Sequence, residues 1–161
     1  MNTDLDVPKT LADLMEVAPA GFAVGLHMGF TAPTFMFQTY PKSWTEEYSR
    51  EGMLTRDPTV AWGFSNEGAI DWEQLQDLDE VGVLARARAQ GLRHGVTVSV
   101  LREGSRSIGS FARGDRPFSP EEVGELEEAL VRLHDGTASA TRLPESVRES
   151  LRRLSVAFTH P

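Results

Sequence analysis

Apolar residues recur along this chain with two different periods, and each change of period marks an element. Leu11, Leu14, Met15 and Ala18 fall three or four apart after Pro8, a residue suited to a first helical turn, so an amphipathic helix is predicted over 8–18. Between residues 22 and 30 the period drops to two. Phe22, Val24, Leu26, Met28 and Phe30 alternate with small or polar residues, the pattern of a strand with one buried face. Thr31-Ala32-Pro33 interrupts it and residues 34–39 read as a second strand, giving a hairpin. Pro41 opens a helix that runs to Arg50, with Gly52 as its stop, and a short helical segment follows Asp57-Pro58. Residues 79–90 read as a helix closed by Gly91. Val96, Val98 and Val100, then residues 108–113, read as strands joined at Glu103-Gly104-Ser105. Ser119, with Glu122 three residues on, is a capping box for a helix whose apolar stripe is Val123, Leu126, Leu130 and Leu133. After a small-residue break over 136–141, Val147, Leu151, Leu154 and Phe158 line one side of a last amphipathic stretch. The order helix, hairpin, helices, hairpin, helices predicts an α+β layered domain with an antiparallel sheet.

Composition narrows the class. The 161 residues suffice for one domain with a sizeable core, and 40% apolar with 25% charged residues is a folding composition. A net charge of -8 disfavours nucleic-acid binding, which draws on Lys and Arg against phosphate. With no cysteine, disulfides, thiol nucleophiles and thiolate metal sites are excluded. The first residues do not read as a secretory signal, and no apolar run reaches the roughly 18–20 residues of a membrane helix, so a soluble cytoplasmic protein with no membrane partner is expected.

The chemistry is concentrated in residues 39–72, TYPKSWTEEYSREGMLTRDPTVAWGFSNEGAIDW. Tyr40, Trp44 and Tyr48 recur every fourth residue and build one aromatic wall. By itself such a stripe also suits core packing, and Asp57-Pro58 by itself also suits a helix cap. The capping and binding readings of Asp57 are compatible, since a carboxylate has two oxygens.

Taken together, the Tyr-Pro-x-x-Trp-x-x-x-Tyr run, Asp57-Pro58-Thr59-Val60 and Trp72 are similar in type and spacing to the LuxR-type autoinducer-binding domain. Residues 91–98 and Ile108-Gly109-Ser110-Phe111 extend the resemblance, which covers about residues 8–135. It implies an α-β-α sandwich with a central antiparallel sheet of about five strands, and a ligand that is an N-acyl-homoserine lactone or a similar small apolar molecule. It further implies that Trp44 donates its indole N–H to the lactone carbonyl and Asp57 accepts the ligand amide N–H. Tyr40 and Ser110 would donate to the acyl carbonyl, Thr59 would support Asp57 or the amide, and Tyr48 and Trp72 would pack on ring and chain. Met28, Phe35, Phe37, Met53 and Val98 are the candidates for the acyl pocket.

The chain departs from the family pattern at three positions. Met53 stands where an aromatic is common, Ala69 where a proline often precedes the tryptophan, implying a freer loop at Trp72, and Ser99 where a proline is frequent, implying a different twist at that edge. The expected organisation is a binding domain over 1–141 and a C-terminal amphipathic helix or tail over 142–161, with no DNA-binding domain. Regulation would then run through a homodimer or a heterodimer with a LuxR-type regulator, which the chain could modulate or inhibit. His27, His94, His134 and His160 are expected to lie far apart and show no metal-ligand spacing, and no nucleophile elbow or phosphate-binding loop is present, so no enzyme activity, metal or cofactor is expected.

Overall fold

The structure, a computed structural model, describes residues 6–30, 32–138 and 153. In chain order the elements are α1 (Val7–Val17), β1 (Gly21–Met28), β2 (Pro33–Gln38), α2 (Lys42–Arg50), a 3-10 turn (Met53–Arg56), α3 (Pro58–Ser65), β3 (Gly68–Asp71), a 3-10 stretch (Trp72–Leu78), α4 (Val83–Ala89), β4 (His94–Arg102), β5 (Ser105–Arg113) and α5 (Pro120–Gly136). The five strands form one antiparallel sheet in the order β2-β1-β5-β4-β3. The α+β class and the five-stranded sheet agree with the sequence reading. The boundary at 141 and the amphipathic stretch over 142–161 lie outside the described residues, apart from Arg153.

Strand alternation gives the sheet two different faces. Phe22, Val24, Leu26, Phe35, Phe37, Val96, Val98 and Phe111 point to one side and pack against Leu11 and Leu14 of α1 and Leu126, Leu130 and Leu133 of α5. Each such side chain contributes about 1.5–3 kcal/mol on burial, so this face is the main core. The other face carries small and polar residues, among them Gly21, Ala23, Gly25, Gly95, Thr97 and Ser110, and is roofed by α2, α3 and α4 around a second cluster of Trp44, Met53, Trp72, Leu75 and Leu84. Small side chains on a sheet face leave room under the roof.

Helix α5 starts at the expected capping box: Ser119 Oγ accepts the Glu122 N–H at 3.1 Å and the Glu122 carboxylate accepts the Ser119 N–H at 2.8 Å. Two readings need correction. The strand predicted through Phe30 ends at Met28, because His27 adopts φ 56°, a left-handed conformation that reverses the alternation. The His27 ring therefore turns to α5, and Met28 turns to the opposite face, away from Leu26. The histidines are also not all apart. The His27 and His134 rings stack with centroids 4.3 Å apart, His27 Nδ1 lies 2.6 Å from Ser105 Oγ, and His134 Nδ1 lies 2.7 Å from Ser107 Oγ.

Candidate functional site

A cavity of about 570 Å³ lies between the polar face of the sheet and its helical roof. Register arranges its floor in rows across the strands. Gly21 pairs with Ala112 and Ala112 with Gly95; the ring of Tyr40 lies over Gly21 and that of Trp72 over Gly95. A Cβ on Gly95 would sit 2.0 Å from Trp72 Cδ2, so glycine is what lets the indole lie on the sheet. The next row is Gln38, Ala23, Ser110 and Thr97, and the one after it Met36, Gly25, Ile108 and Ser99. The polar end of the cavity thus grades into an apolar one along the strands.

The polar end is held from three sides. Asp57 caps α3: its Oδ1 accepts the Thr59 N–H at 2.8 Å and the Thr59 hydroxyl at 2.7 Å, and its Oδ2 accepts the Tyr48 hydroxyl at 2.7 Å. A carboxylate offers about four lone-pair sites, so one on Oδ2 remains. Burial, and then the negative charge of Asp57, push the Tyr40 and Tyr48 hydroxyls above the ordinary phenol range, which keeps both as neutral donors. Tyr40 donates to the Ser110 carbonyl at 3.2 Å, long for an O–H···O bond. Trp72 donates its indole N–H to Thr97 Oγ1 at 3.0 Å, and Thr97 Oγ1 lies 2.7 Å from Ser110 Oγ. Thr97 is fully buried, and either hydroxyl of the pair can donate to the other; when Thr97 donates, the Ser110 proton is left for the cavity.

Trp44 is different. It lines the cavity and is 4% exposed, its ring stands edge-on to Tyr48 at 5.7 Å, and its indole N–H has no acceptor among the described residues. A buried donor left without a partner costs about 1–3 kcal/mol. Among the described residues, the site therefore presents the Trp44 indole N–H without an acceptor and a free lone pair on Asp57 Oδ2 at the polar end of the cavity.

Of the sequence candidates, Tyr40, Trp44, Tyr48, Asp57, Thr59, Trp72, Ser110 and Met28 all line this cavity. Phe35, Phe37 and Val98 do not. They lie on the opposite face in the α1/α5 core, because adjacent strand residues alternate and it is Met36 and Gln38 of β2 that face the cavity. Met53 is buried in the roof cluster and is not part of the lining. The freer loop expected at Ala69 is instead strand β3, with Ala69 paired to Val98, and Trp72 is pinned by Gly95 and Thr97. Ser99 sits on an interior strand, where its hydroxyl donates to the Gly63 carbonyl at 2.7 Å. Sequence reasoning missed Gly95, Thr97 and Gln38, and also Val60, Phe64, Val83, Leu84 and Ala87 of the roof; the isolated glycine opening a valine-rich strand was the one usable signal. Among the described residues no cluster of three potential metal ligands occurs, and no helix is long and apolar enough to cross a membrane.

Comparison with known proteins agrees with this geometry. The family model of the autoinducer binding domain matches residues 10–135. The transcriptional activator protein SolR of Ralstonia solanacearum is 33% identical over 119 residues, covering 71% of this chain and 50% of that protein. The chain spans about half the length of the curated relatives it matches. Among solved structures, CepR2 of Burkholderia cenocepacia, described as an N-acylhomoserine lactone dependent LuxR family transcription factor, superposes with a TM-score of 0.62 at 17% identity, covering 83% of this chain and 81% of that one. SdiA in complex with octanoyl-rac-glycerol gives a TM-score of 0.62 at 19% identity, with 96% and 72% covered. At these identities the two structures establish the shared fold.

Proposed function

The chain belongs to the autoinducer-binding domain family of LuxR-type regulators, a family of signal-binding domains rather than of enzymes, and on that premise we propose that it binds an N-acyl-homoserine lactone in the cavity between sheet and roof. The ligand amide N–H goes to the remaining lone pair of Asp57 Oδ2, and the lactone carbonyl to the indole N–H of Trp44. Ser110 donates to the acyl carbonyl, and Tyr40 joins it by exchanging its long bond to the Ser110 carbonyl. The tail runs over the apolar rows of the sheet.

The observation that carries this reading is the buried indole N–H of Trp44, which has no acceptor among the described residues, on the same cavity wall as the incompletely used Asp57 carboxylate. A ligand with one carbonyl and one amide N–H satisfies both at once. Neighbouring proteins point to two kinds of acyl ligand: CepR2 is described as lactone-dependent, whereas the SdiA complex holds octanoyl-rac-glycerol. The Asp57 carboxylate would take an amide N–H from the first and a hydroxyl from the second.

Calorimetric titration with octanoyl-homoserine lactone and with octanoyl-glycerol is the test. The lactone is expected to bind more tightly, and Asp57→Asn to weaken it by at least tenfold, since a hydrogen bond to a charged acceptor contributes about 1.5–3 kcal/mol. Absence of lactone binding, or equal affinity in the Asp57→Asn protein, would overturn the assignment.

A further inference from the structure

In a chain of net charge -8, the guanidinium of Arg106 has no carboxylate partner among the described residues. Its Nη1 instead donates to the Gly63 carbonyl at 2.8 Å, to the Asn66 carbonyl at 2.7 Å and to Ser99 Oγ at 2.7 Å. Ser99 Oγ in turn donates to the Gly63 carbonyl at 2.7 Å. Gly63 lies in the last turn of α3 and Asn66 is the residue that follows the helix. A helix end leaves such carbonyls without intrahelical donors, and a cation there also meets the negative end of the helix dipole. Two residues of the sheet thus tie down the C-terminal end of α3.

Arg106, Ile108 and Ser110 alternate along β5 on the face beneath the roof, so one strand both floors the cavity and sets the helix above it. Ser110 lines the polar end, Ile108 packs under Gly63, where a Cβ would stand 2.9 Å from Ile108 Cδ1 and Cγ2, and Arg106 holds the helix end. Asp57 is the N-cap at the opposite end of the same helix. Among the described residues its carboxylate is reached from outside α3 by the Tyr48 hydroxyl. The outer flank of the helix, at Pro58, Ala61, Trp62 and Ser65, borders a surface groove of about 410 Å³, so the helix has room to swing on that side. Eight residues at about 1.5 Å each make α3 about 12 Å long, and a tilt of about 5° at the Arg106 end carries the Asp57 end by about 1 Å. A hydrogen bond of about 2.8 Å does not survive that lengthening.

Resting on the lactone reading, we propose that Arg106 is a positioning residue for ligand binding: it stands outside the cavity lining, fixes the tilt of α3, and through it sets where Asp57 meets the ligand. Calorimetric titration of the full chain with octanoyl-homoserine lactone is run on the parent, Arg106→Gln, Asp57→Asn and the double variant. Arg106→Gln is expected to bind about tenfold more weakly at unchanged stoichiometry, the loss of one hydrogen bond to a charged acceptor. In the Asp57→Asn background the same substitution is expected to cost less than about twofold, since a residue that acts through Asp57 has nothing left to position. A contact that merely stabilised the fold would lower the melting temperature in both backgrounds and leave the affinity of the folded fraction unchanged. If Arg106→Gln does not fold, Ser99→Ala removes the other donor to the Gly63 carbonyl and is read the same way. Parent-like affinity in the folded variant, or an equal loss in both backgrounds, overturns the positioning role while leaving lactone binding intact. If the parent itself does not bind the lactone, that reading falls, and this inference with it.

Discussion

Replacing Gly95 with alanine puts a methyl group 2.0 Å from Trp72 Cδ2 and 2.2 Å from Cε2 and Cε3. Carbon atoms pack at about 3.5–4.0 Å, so the indole must move by more than an ångström. Gly95 is not among the positive-φ residues, so alanine brings no backbone strain there. With open space above it the substitution would stabilise the strand by about 0.5–1 kcal/mol. The indole displaces the balance the other way. Its movement breaks the 3.0 Å bond to Thr97 in a buried setting, about 1–3 kcal/mol, and overpacks the layer between sheet and roof, about 1–3 kcal/mol more. The expected net loss is about 1–5 kcal/mol, measured as a lower urea midpoint followed by tryptophan fluorescence. In a Trp72→Ala background the methyl has room, and Gly95→Ala becomes neutral or stabilising, a coupling of about 2 kcal/mol or more. A Gly95→Ala protein as stable as the parent, or an equal cost in both backgrounds, would refute the reasoning.

Trp44→Phe removes a buried donor that lacks an acceptor among the described residues, so the unliganded protein should be as stable or more so by thermal unfolding, while lactone affinity drops about tenfold. Burial, and then the neighbouring His27, hold the His134 imidazole below its ordinary 6.5, so the unfolded chain takes up the proton first and stability falls as pH drops below about 6.5. His134→Gln should therefore show a smaller fall in melting temperature between pH 7.5 and 5 than the parent. Glu122 runs the opposite chemistry with the same sign: its hydrogen bonds to Arg116 and to the Ser119 N–H lower its carboxyl from 4.5 to about 2, so its stabilisation is present above 4.5 and is lost as pH falls from there to about 2. Glu122→Gln should flatten the melting temperature across that window.

Most of the fold was legible because its signals are local. The two hairpins, the helix after Pro41, the capping box at Ser119 and the stop at Gly91 each follow from residues within a turn of one another. Strand β3 was not legible, since a four-residue segment, Gly68–Asp71, is too short to show a period and forms by pairing with β4. The residues at the polar end of the cavity were legible for a related reason: Tyr40, Trp44, Tyr48, Asp57 and Thr59 lie within one stretch of chain whose spacing survives folding.

The apolar lining of the cavity depended on which side of each strand faces the roof. Alternation states that Phe35 and Phe37 share a side and that Met36 and Gln38 share the other, but only the packing of α1 and α5 against the larger side chains decides which side is the core. A single left-handed residue, His27, then moves Met28 across the sheet. The stacked histidines and the Trp72–Thr97–Ser110 chain join residues distant in sequence, with His27 Nε2 and the His134 carbonyl meeting at 2.9 Å across 107 residues. The sequence by itself determined most of the elements, the family and the residues of the cavity's polar end, because those rest on short-range spacing. The cavity and the faces that line it were decided by tertiary structure, because they depend on which strands pair, in what register, and on which side the helices settle.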